Sequence, residues 1–521
     1  MNVDGLSLAT LDSLAERLRN RSLPALRVHS GQVRAGDVFV ALPPNRPGEK
    51  GGLDFLEQVL AAGAGALVCA EAEADRAKSR IAAARKNIEL CPVPDVRAAL
   101  GALAGAWHGT EHYRPTLVGV TGTNGKTTGA YLLECLFQAA GRKVGVLGTI
   151  SYRWPGFSQE APLTTPTCLD LHALLAQMQA AGTDTVIMEV SSHALAQNRV
   201  AGLHFTAASF SNLTQDHLDY HKDMEDYYQC KARLFRPPFE APERDKARAI
   251  NINSSYGLRL MRESLSCPGR NIAYGIVNKG DAAAVELFGN LEPQQKLEAE
   301  LAGISPQGIH LRHKFAGQEW EIRSPLAGVF NAANLLGAQA TALGLGLEPR
   351  DLTVLETFSG VPGRLERITG ADGKPARLDV FVDYAHTPDA LVNAITGLRD
   401  AGFKRVIALF GCGGDRDRTK RPKMGAAVCK YADVAVLTSD NPRTEDPRAI
   451  MDDVVPGMQG CPETYREVDR KKATELAISL MKPGDALLVA GKGHENYQIL
   501  GKEKIHYSDQ EVVREILGVK P

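Results

Sequence analysis

The chain lacks any run of about 18 apolar residues, so no segment reads as a membrane-spanning helix. Its start, Met1-Asn2-Val3-Asp4, has neither the basic residues nor the apolar stretch of a secretory signal, which predicts a cytoplasmic protein. Net charge is nearly absent. Sixty Lys and Arg against 61 Asp and Glu leave −1 at pH 7, so no global field favours nucleic acid or an anionic membrane. Cysteine is sparse: nine in 521 residues, an odd number, with no C-x-x-C pair. That argues against a disulfide framework or a zinc site and predicts reduced thiols. No solenoid repeat or low-complexity tract occurs. What remains is ordinary soluble composition, 44% apolar and 23% charged. The length suggests about three domains at ~150 residues each.

Against that background one segment stands out. Thr121–Thr128 reads TGTNGKTT and follows the apolar run Leu117-Val118-Gly119-Val120. A strand, a glycine turn and a Gly-Lys-Thr entering a helix form a phosphate cradle. Gly122 and Gly125 let the backbone turn N–H groups toward a polyphosphate, Lys126 supplies a cation, and Thr127 offers a hydroxyl to Mg²⁺. Val120 stands where the usual G-x-x-x-x-G-K-[ST] spacing has glycine. The motif implies a nucleoside triphosphate and an energy-coupled reaction.

The N-terminal part has strand-like runs at 37–42 and 66–70 with helical spacing over 55–62 between them, which suggests a small α/β domain. The polar stretch 107–115 ends in proline and reads as a linker. The middle part alternates strands (117–120, 144–147, 185–190, 207–210) with helical stretches, the rhythm of a mostly parallel sheet. Residues 281–318 read as a polar, peripheral excursion before a helix over 331–345. Beyond a junction near Val361-Pro362-Gly363 come strands at 378–382, 406–410, 434–437 and 486–490. A polar cluster follows each of them: Asp383–His386, Gly411–Asp417, Ser439–Arg443 and Gly491–Glu495. In an open α/β sheet such clusters face one crevice beyond the carboxyl ends of the strands. The domains fall at 1–112, 113–361 and 362–521.

Several residues carry candidate chemistry. Glu189 ends an apolar strand and suits either Mg²⁺ or solvent. Asp216-His217-Leu218-Asp219-Tyr220-His221 can hold a second metal ion or simply cap a helix. Lys231 is either a solvated helix lysine or, facing a crevice, a neutral amine that CO₂ converts to a carbamate. Arg364 can reach phosphates when domains close, or form an interdomain salt bridge.

Taken in order, Thr121–Thr128, Glu189–His193, Asn212–His221, Asn331–Asn334, Val361–Glu366, Asp383–Pro388, Asp440–Arg443 and Gly491–Glu495 resemble the Mur ligases, from about residue 25 onward. The resemblance implies three domains: a small α/β N-terminal UDP-binding domain, a central P-loop-type ATPase domain with a mostly parallel sheet, and a Rossmann-like C-terminal domain. It implies that ATP phosphorylates the terminal carboxylate of UDP-MurNAc-L-Ala-D-Glu and that an amine displaces the phosphate. Domain closure would keep water from the acyl phosphate.

Carried over by position, Gly122, Thr123, Asn124, Gly125, Lys126, Thr127 and Thr128 would bind ATP, with Asn331, Asn334, Arg364 and Asp383 around the nucleotide. Thr127, Glu189, His217 and Lys231 as its carbamate (N6-carboxylysine) would organise Mg²⁺. Lys126, Glu189, His217 and Lys231 would be catalytic. Ser30, Thr164, Thr165, Ser191, Gln197 and Arg199 match positions for the UDP-sugar peptide. Asp440-Asn441-Pro442-Arg443 looks like the motif of members that add meso-diaminopimelate, and Arg416, Gly491 and Glu495 would complete that pocket. Arg443 can pair with the far carboxylate that lysine lacks, while Glu495 takes an ammonium. His29-Ser30-Gly31 departs from the Asp-Ser-Arg often found there, and Leu163 from an asparagine. The expectation is a monomeric cytoplasmic ligase acting on small molecules, without nucleic acid or membrane. A folylpolyglutamate synthase is the second enzyme reading, and a nucleotide-regulated binding protein the non-enzymatic one.

Overall fold

A computed structural model of the protein describes residues 7–46, 48–237, 239, 246–276, 282–370 and 376–519. Met1–Asp4 and Asp281 lie outside the described residues. The chain is α/β throughout, and it divides into two compact units. The first comprises Met1–Lys126, Phe137–Ile272 and Gly344–Gly346; the second comprises Thr127–Leu136, Ala273–Leu343 and Leu347–Pro521.

The first unit opens with a five-stranded, all-parallel sheet built from Ser7–Leu8, Leu26–Arg27, Val38–Val40, Ala66–Ala70 and Glu89–Val93. Side chains alternate between its faces. Val38, Val40, Ala66 and Val68 pack on one side with the helices Leu11–Arg19 and Val96–His108. Phe39, Leu67 and Leu90 pack on the other with Leu56–Ala61 and Ala74–Ala84. At roughly 1.5–3 kcal/mol per buried Val, Leu or Phe, both faces enforce the register, since a one-residue slip would exchange them. Sequence spacing marked only two of these strands, because the others are two to five residues long with mixed composition.

The same unit carries a parallel core made of Ala247–Asn251, Ala207–Phe210, Thr116–Thr121, Thr185–Glu189 and Val144–Leu147, in that spatial order. The antiparallel strands Ser151–Trp154 and Phe157–Glu160 continue it. Each core strand is buried along its length, as expected where helices cover both faces. The expected linker at 107–115 begins inside a helix: Val96–His108 runs through Trp107 and stops at Gly109, in left-handed conformation. Thr110 Oγ1 then bonds the buried His172 Nδ1 at 2.6 Å.

In the second unit, the expected polar excursion is a helix, Ala282–Asn290, followed by sheet. Lys296–Ser305, Gly308–Phe315 and Gln318–Ser324 form an antiparallel meander whose first strand pairs in parallel with Arg270–Ile276. Its alternation is clear only in retrospect. Leu297, Ala299, Ile309, Leu311 and Ile322 face inward, while charged residues occupy the other face and mask the apolar signal.

The C-terminal sheet has six strands in the order Glu366–Arg367, Asp379–Asp383, Ala486–Ala490, Val406–Cys412, Val434–Ser439 and Thr464–Arg466. All but the first pair in parallel. Phe381, Phe410 and Leu488 pack beneath the helices Pro388–Asp400, Lys420–Tyr431 and Pro447–Val454. Val382, Leu409 and Val489 pack beneath Arg470–Ser479 and Asp509–Leu517. The expectation of reduced thiols holds at seven cysteines and fails at two. Cys429 and Cys461 form a disulfide with their Cα atoms 4.6 Å apart. They are separated by 32 residues in sequence, so only the packing of the helix Lys420–Tyr431 against the following loop brings them together.

Candidate active site

The phosphate loop is held in shape by its neighbour in the sheet. Past Phe210 the chain runs along the loop. Asn124 N donates to Asn212 Oδ1 (2.9 Å), Thr123 N to Asn212 O (3.0 Å), and Ser211 Oγ to Asn124 O. Thr123 Oγ1 joins Thr214 O and the Tyr227 hydroxyl, each at 3.2 Å. Gly122 has φ +152°, and a Cβ there would lie 2.0 Å from Ser211 Oγ. The loop therefore needs glycine both for its backbone and for the close approach. The helix Lys126–Ala139 begins at the loop's end and presents its N-terminus there. Thr127 and Thr128 are buried in its first turn.

Two lysines converge on one carbonyl. Lys126 Nζ donates to Gly122 O and Thr123 O, both at 2.9 Å, and Lys231 Nζ donates to Gly122 O at 2.8 Å. Lys231 is only 1% exposed, so it is no solvated helix lysine. Burial, and then the Lys126 charge, hold its amine well below the usual lysine range. Both effects favour the neutral, nucleophilic form of the amine beside the phosphate cradle. His217, in left-handed conformation at φ +54°, lies near both lysines, and burial lowers its pKa. Its ring is 5.0 Å from that of His193, which burial lowers to about 4.

Glu189 ends its strand 1% exposed. Thr149 N donates to its Oε1 (2.8 Å) and Thr149 Oγ1 to its Oε2 (2.9 Å). A buried carboxylate oriented in this way is a ligand type suited to a hard cation. Among the described residues no group of three or more His, Cys, Asp and Glu gathers as a metal cage, so the cluster at 216–221 does not form a second metal site of its own. Glu189 and His217 are nonetheless of the ligand types that Mg²⁺ accepts, since that ion keeps waters and phosphate oxygens in its coordination shell and needs few protein ligands.

Residues expected to hold the peptide substrate tie back to Glu189. Thr165 Oγ1 donates to Glu189 O (2.7 Å) and accepts from Ser191 N (3.1 Å). Arg199 reaches Thr165 O (3.0 Å) and Gln197 Oε1 (2.9 Å), and Thr164 Oγ1 meets Thr149 Oγ1 (3.1 Å). Ser30 sits apart on the N-terminal sheet side, bonded to Gln58 Oε1 at 2.9 Å. Arg97 links the two regions, bonding Gln197 O (3.2 Å) and Asn45 Oδ1 (2.9 Å).

In the second unit the four polar strand ends line a single cavity of about 690 Å³. Tyr384 and His386, Gly411–Gly413 with Arg416 and Asp417, Asp440, Asn441 and Arg443, and Gly491 and Glu495 all contribute to its wall. Arg443, at φ +53°, donates from Nη1 to Gly414 O at 2.6 Å. Arg416 lines the cavity from an exposed position. The glycine loop is anchored behind by the buried Arg421, which bonds Glu445 and Asp453 at 2.8 Å each. This pairing holds Glu445 down to about 2. Asn441 is already engaged: its Nδ2 donates to Glu495 Oε2 (3.0 Å), and its Oδ1 accepts from Ile499 N (3.0 Å) and Lys492 Nζ (3.1 Å).

Asp383 accepts from Leu365 N (2.6 Å) and Ala385 N (2.7 Å), and Arg364 stacks over Tyr384, 5.1 Å from its ring centre. Asn331 and Asn334 are buried and bonded to each other at 2.9 Å in the helix Val329–Gly344. Sequence reasoning gave no individual role to Ser211, Asn212, Thr149, Arg421 or Lys492, although Asn212 and Lys492 stand within the motifs it singled out. Ser211 and Asn212 follow a strand end as Glu189 does, and Lys492 sits between two glycines in a pocket segment. Those positions were the available signals.

Residues 120–342 match the family described as Mur ligase middle domain, and residues 363–493 match Mur ligase, glutamate ligase domain. The chain is 50% identical over 491 residues to a protein of Lawsonia intracellularis (strain PHE/MN1-00) named UDP-N-acetylmuramoyl-L-alanyl-D-glutamate--2,6-diaminopimelate ligase, covering 94% of this chain and 95% of that one. A protein of the same name from Gloeobacter violaceus (strain ATCC 29082 / PCC 7421) is 44% identical over 509 residues, 96% of each. A solved structure of a ligase with that name superposes with TM-score 0.66 at 29% identity, covering 95% of both chains. A folylpolyglutamate synthase of Mycobacterium tuberculosis shares the fold at TM-score 0.57 and 19% identity, over 81% of this chain and 96% of its own.

Proposed function

The chain belongs to the Mur ligase family, and on that premise we propose that it joins meso-diaminopimelate to the D-Glu carboxylate of UDP-MurNAc-L-Ala-D-Glu at the expense of ATP, in peptidoglycan precursor synthesis. The observation that carries this reading is the mixed-charge cavity of the second unit. Arg443 and Arg416 offer guanidinium groups to carboxylates, and Glu495 and Asp440 offer carboxylates to ammonium groups. An amino acid with two of each suits it, and a lysine would leave an arginine facing a cation.

The chemistry divides among the residues already described. Gly122–Thr128 bind the triphosphate through backbone N–H groups and the helix N-terminus, with Asn331, Asn334, Arg364 and Asp383 serving the rest of the nucleotide. Mg²⁺, held by Thr127, Glu189, His217 and the carbamate of Lys231, would neutralise charge on the phosphates. Lys126 adds its cation to the moving phosphoryl group. Ser30, Thr164, Thr165, Ser191, Gln197 and Arg199 hold the UDP-sugar peptide. The γ-phosphoryl group passes to the glutamate carboxylate oxygen and leaves ADP. The amine nitrogen then attacks the acyl carbon, phosphate departs with the C–O electron pair, and the amine loses a proton. The buried, weakly basic Lys231 supports carbamate formation, since only the neutral amine adds CO₂.

We further propose domains at 1–112, 113–361 and 362–521 and a monomer working in the cytoplasm; among the described residues no helix is long and apolar enough to cross a membrane. The test is phosphate release by the purified protein. Release should require ATP, the UDP-dipeptide and diaminopimelate together. Equal release when the UDP-dipeptide is omitted would contradict the reading.

A further inference from the structure

Behind the C-terminal cavity lies a charged side chain that cannot touch a ligand there. Lys492 is 0% exposed and lies outside the cavity wall. Its Nζ is 3.1 Å from Asn441 Oδ1, 3.3 Å from Asp440 Oδ1 and 3.7 Å from Glu495 Oε2. Three of the residues that face the cavity therefore share one buried ammonium group.

The hydrogen-bond inventory of Asn441 gives this arrangement a consequence. Its Oδ1 accepts from two groups that can only donate, the Lys492 ammonium and the Ile499 backbone N–H. Its Nδ2 donates to a carboxylate oxygen of Glu495. All three partners agree on the amide orientation, and a flip would turn the carbonyl against a carboxylate. Both lone pairs of Oδ1 are then used. The polar capacity that Asn441 keeps for a ligand is its second N–H, a donor. Asp440 Oδ1, buried without a hydrogen bond of its own, and Glu495 would repel each other without the cation between them. With it, Glu495 keeps Oε2 on Asn441 and has Oε1 left for an ammonium group.

We propose that Lys492 is a positioning residue for amino-acid selection. It locks Asn441 so that the cavity presents an N–H to an incoming carboxylate, and it holds Glu495 in place to receive an ammonium group. This rests on the reading of the cavity as the diaminopimelate pocket. Loss of the lock frees the amide to turn its carbonyl inward, where it favours a cationic or neutral side-chain end over a carboxylate.

The experiment is steady-state kinetics on the full chain. Lys492→Met should raise KM for meso-diaminopimelate at least tenfold, leave KM for ATP and for the UDP-dipeptide within twofold, and narrow the preference over L-lysine at least tenfold. Because Lys492 acts in part through Asn441, adding it to Asn441→Ala should raise KM by clearly less than the product of the two single effects. A folded Lys492→Met with unchanged diaminopimelate KM, or effects of the two substitutions that simply multiply, would overturn the proposal. If Lys492→Met does not fold, Asn441→Asp tests the same donor: it should raise the diaminopimelate KM at least tenfold, and an unchanged value would overturn the proposal. Arg443→Ala separates the two levels. If it leaves that KM unchanged, the pocket reading itself fails. If it raises KM while Lys492→Met does not, only the role of Lys492 fails.

Discussion

Replacing Gly122 by alanine tests how tightly the phosphate loop is constrained. The new Cβ would lie 2.0 Å from Ser211 Oγ and 3.1 Å from both N and O of Asn212, on a residue at φ +152°. The hydroxyl can rotate away. That would forfeit its bond to Asn124 O, worth about 1 kcal/mol. The Asn212 backbone cannot yield as cheaply, because it carries the bonds that hold Thr123 and Asn124. A side chain in this backbone conformation costs about 1–3 kcal/mol more. The sum is about 2–4 kcal/mol. Borne by the geometry that receives the phosphates, it corresponds to a loss of ATP affinity of roughly 30- to 1,000-fold. Calorimetric titration of ATP, beside a thermal melt, measures both consequences. Adding Ser211→Ala removes the closest contact, but it gives up the same hydrogen bond and leaves the backbone strain, so it should recover little of the lost affinity. Wild-type affinity in Gly122→Ala, with an unchanged melting temperature, would refute the reasoning.

Two further outcomes are expected. Protein freed of CO₂ should lose most of its ligase activity and regain it on addition of bicarbonate, and Lys231→Met should show neither response; phosphate release measures both. Protonation should also erode stability in mildly acidic solution. Burial lowers the His313 imidazole, which stacks on Trp320, to about 4, below its ordinary value near 6.5. The folded state therefore resists a proton that the unfolded chain accepts. The contribution is present in full above about pH 6.5 and is lost as pH falls toward 4, up to about 3 kcal/mol. Urea unfolding from pH 7 to 4.5 should show this slope, and His313→Gln should flatten it by about one proton.

Much of the fold could be read from the chain because its central strands are buried on both faces. Runs such as Ala486–Ala490 and Val144–Leu147 are apolar from end to end and are bounded by turns, so sequence and structure coincide there. Residues 281–318 read as a polar excursion because the outer face of the meander that begins at Lys296 is charged. The Cys429–Cys461 pair was illegible for another reason: nothing local joins residues so far apart in sequence. At the site, side chains at strand ends were legible, since each polar cluster follows an apolar run. Residues that act from behind were not. Lys492, Arg421 and Asn212 brace the loops, and only the three-dimensional hydrogen bonding identifies them. The reading of Lys231 as a solvated helix residue gives way to burial at 1% exposure.

Selection of the amino acid is the most direct measurement of the central claim. Purified protein would be given ATP and UDP-MurNAc-L-Ala-D-Glu with either meso-diaminopimelate or L-lysine, and the tripeptide product quantified. Product is expected with diaminopimelate alone, and Arg443→Ala should abolish most of it. Comparable turnover of lysine, or an Arg443→Ala variant as active as the parent, would contradict the claim that the C-terminal cavity chooses the substrate.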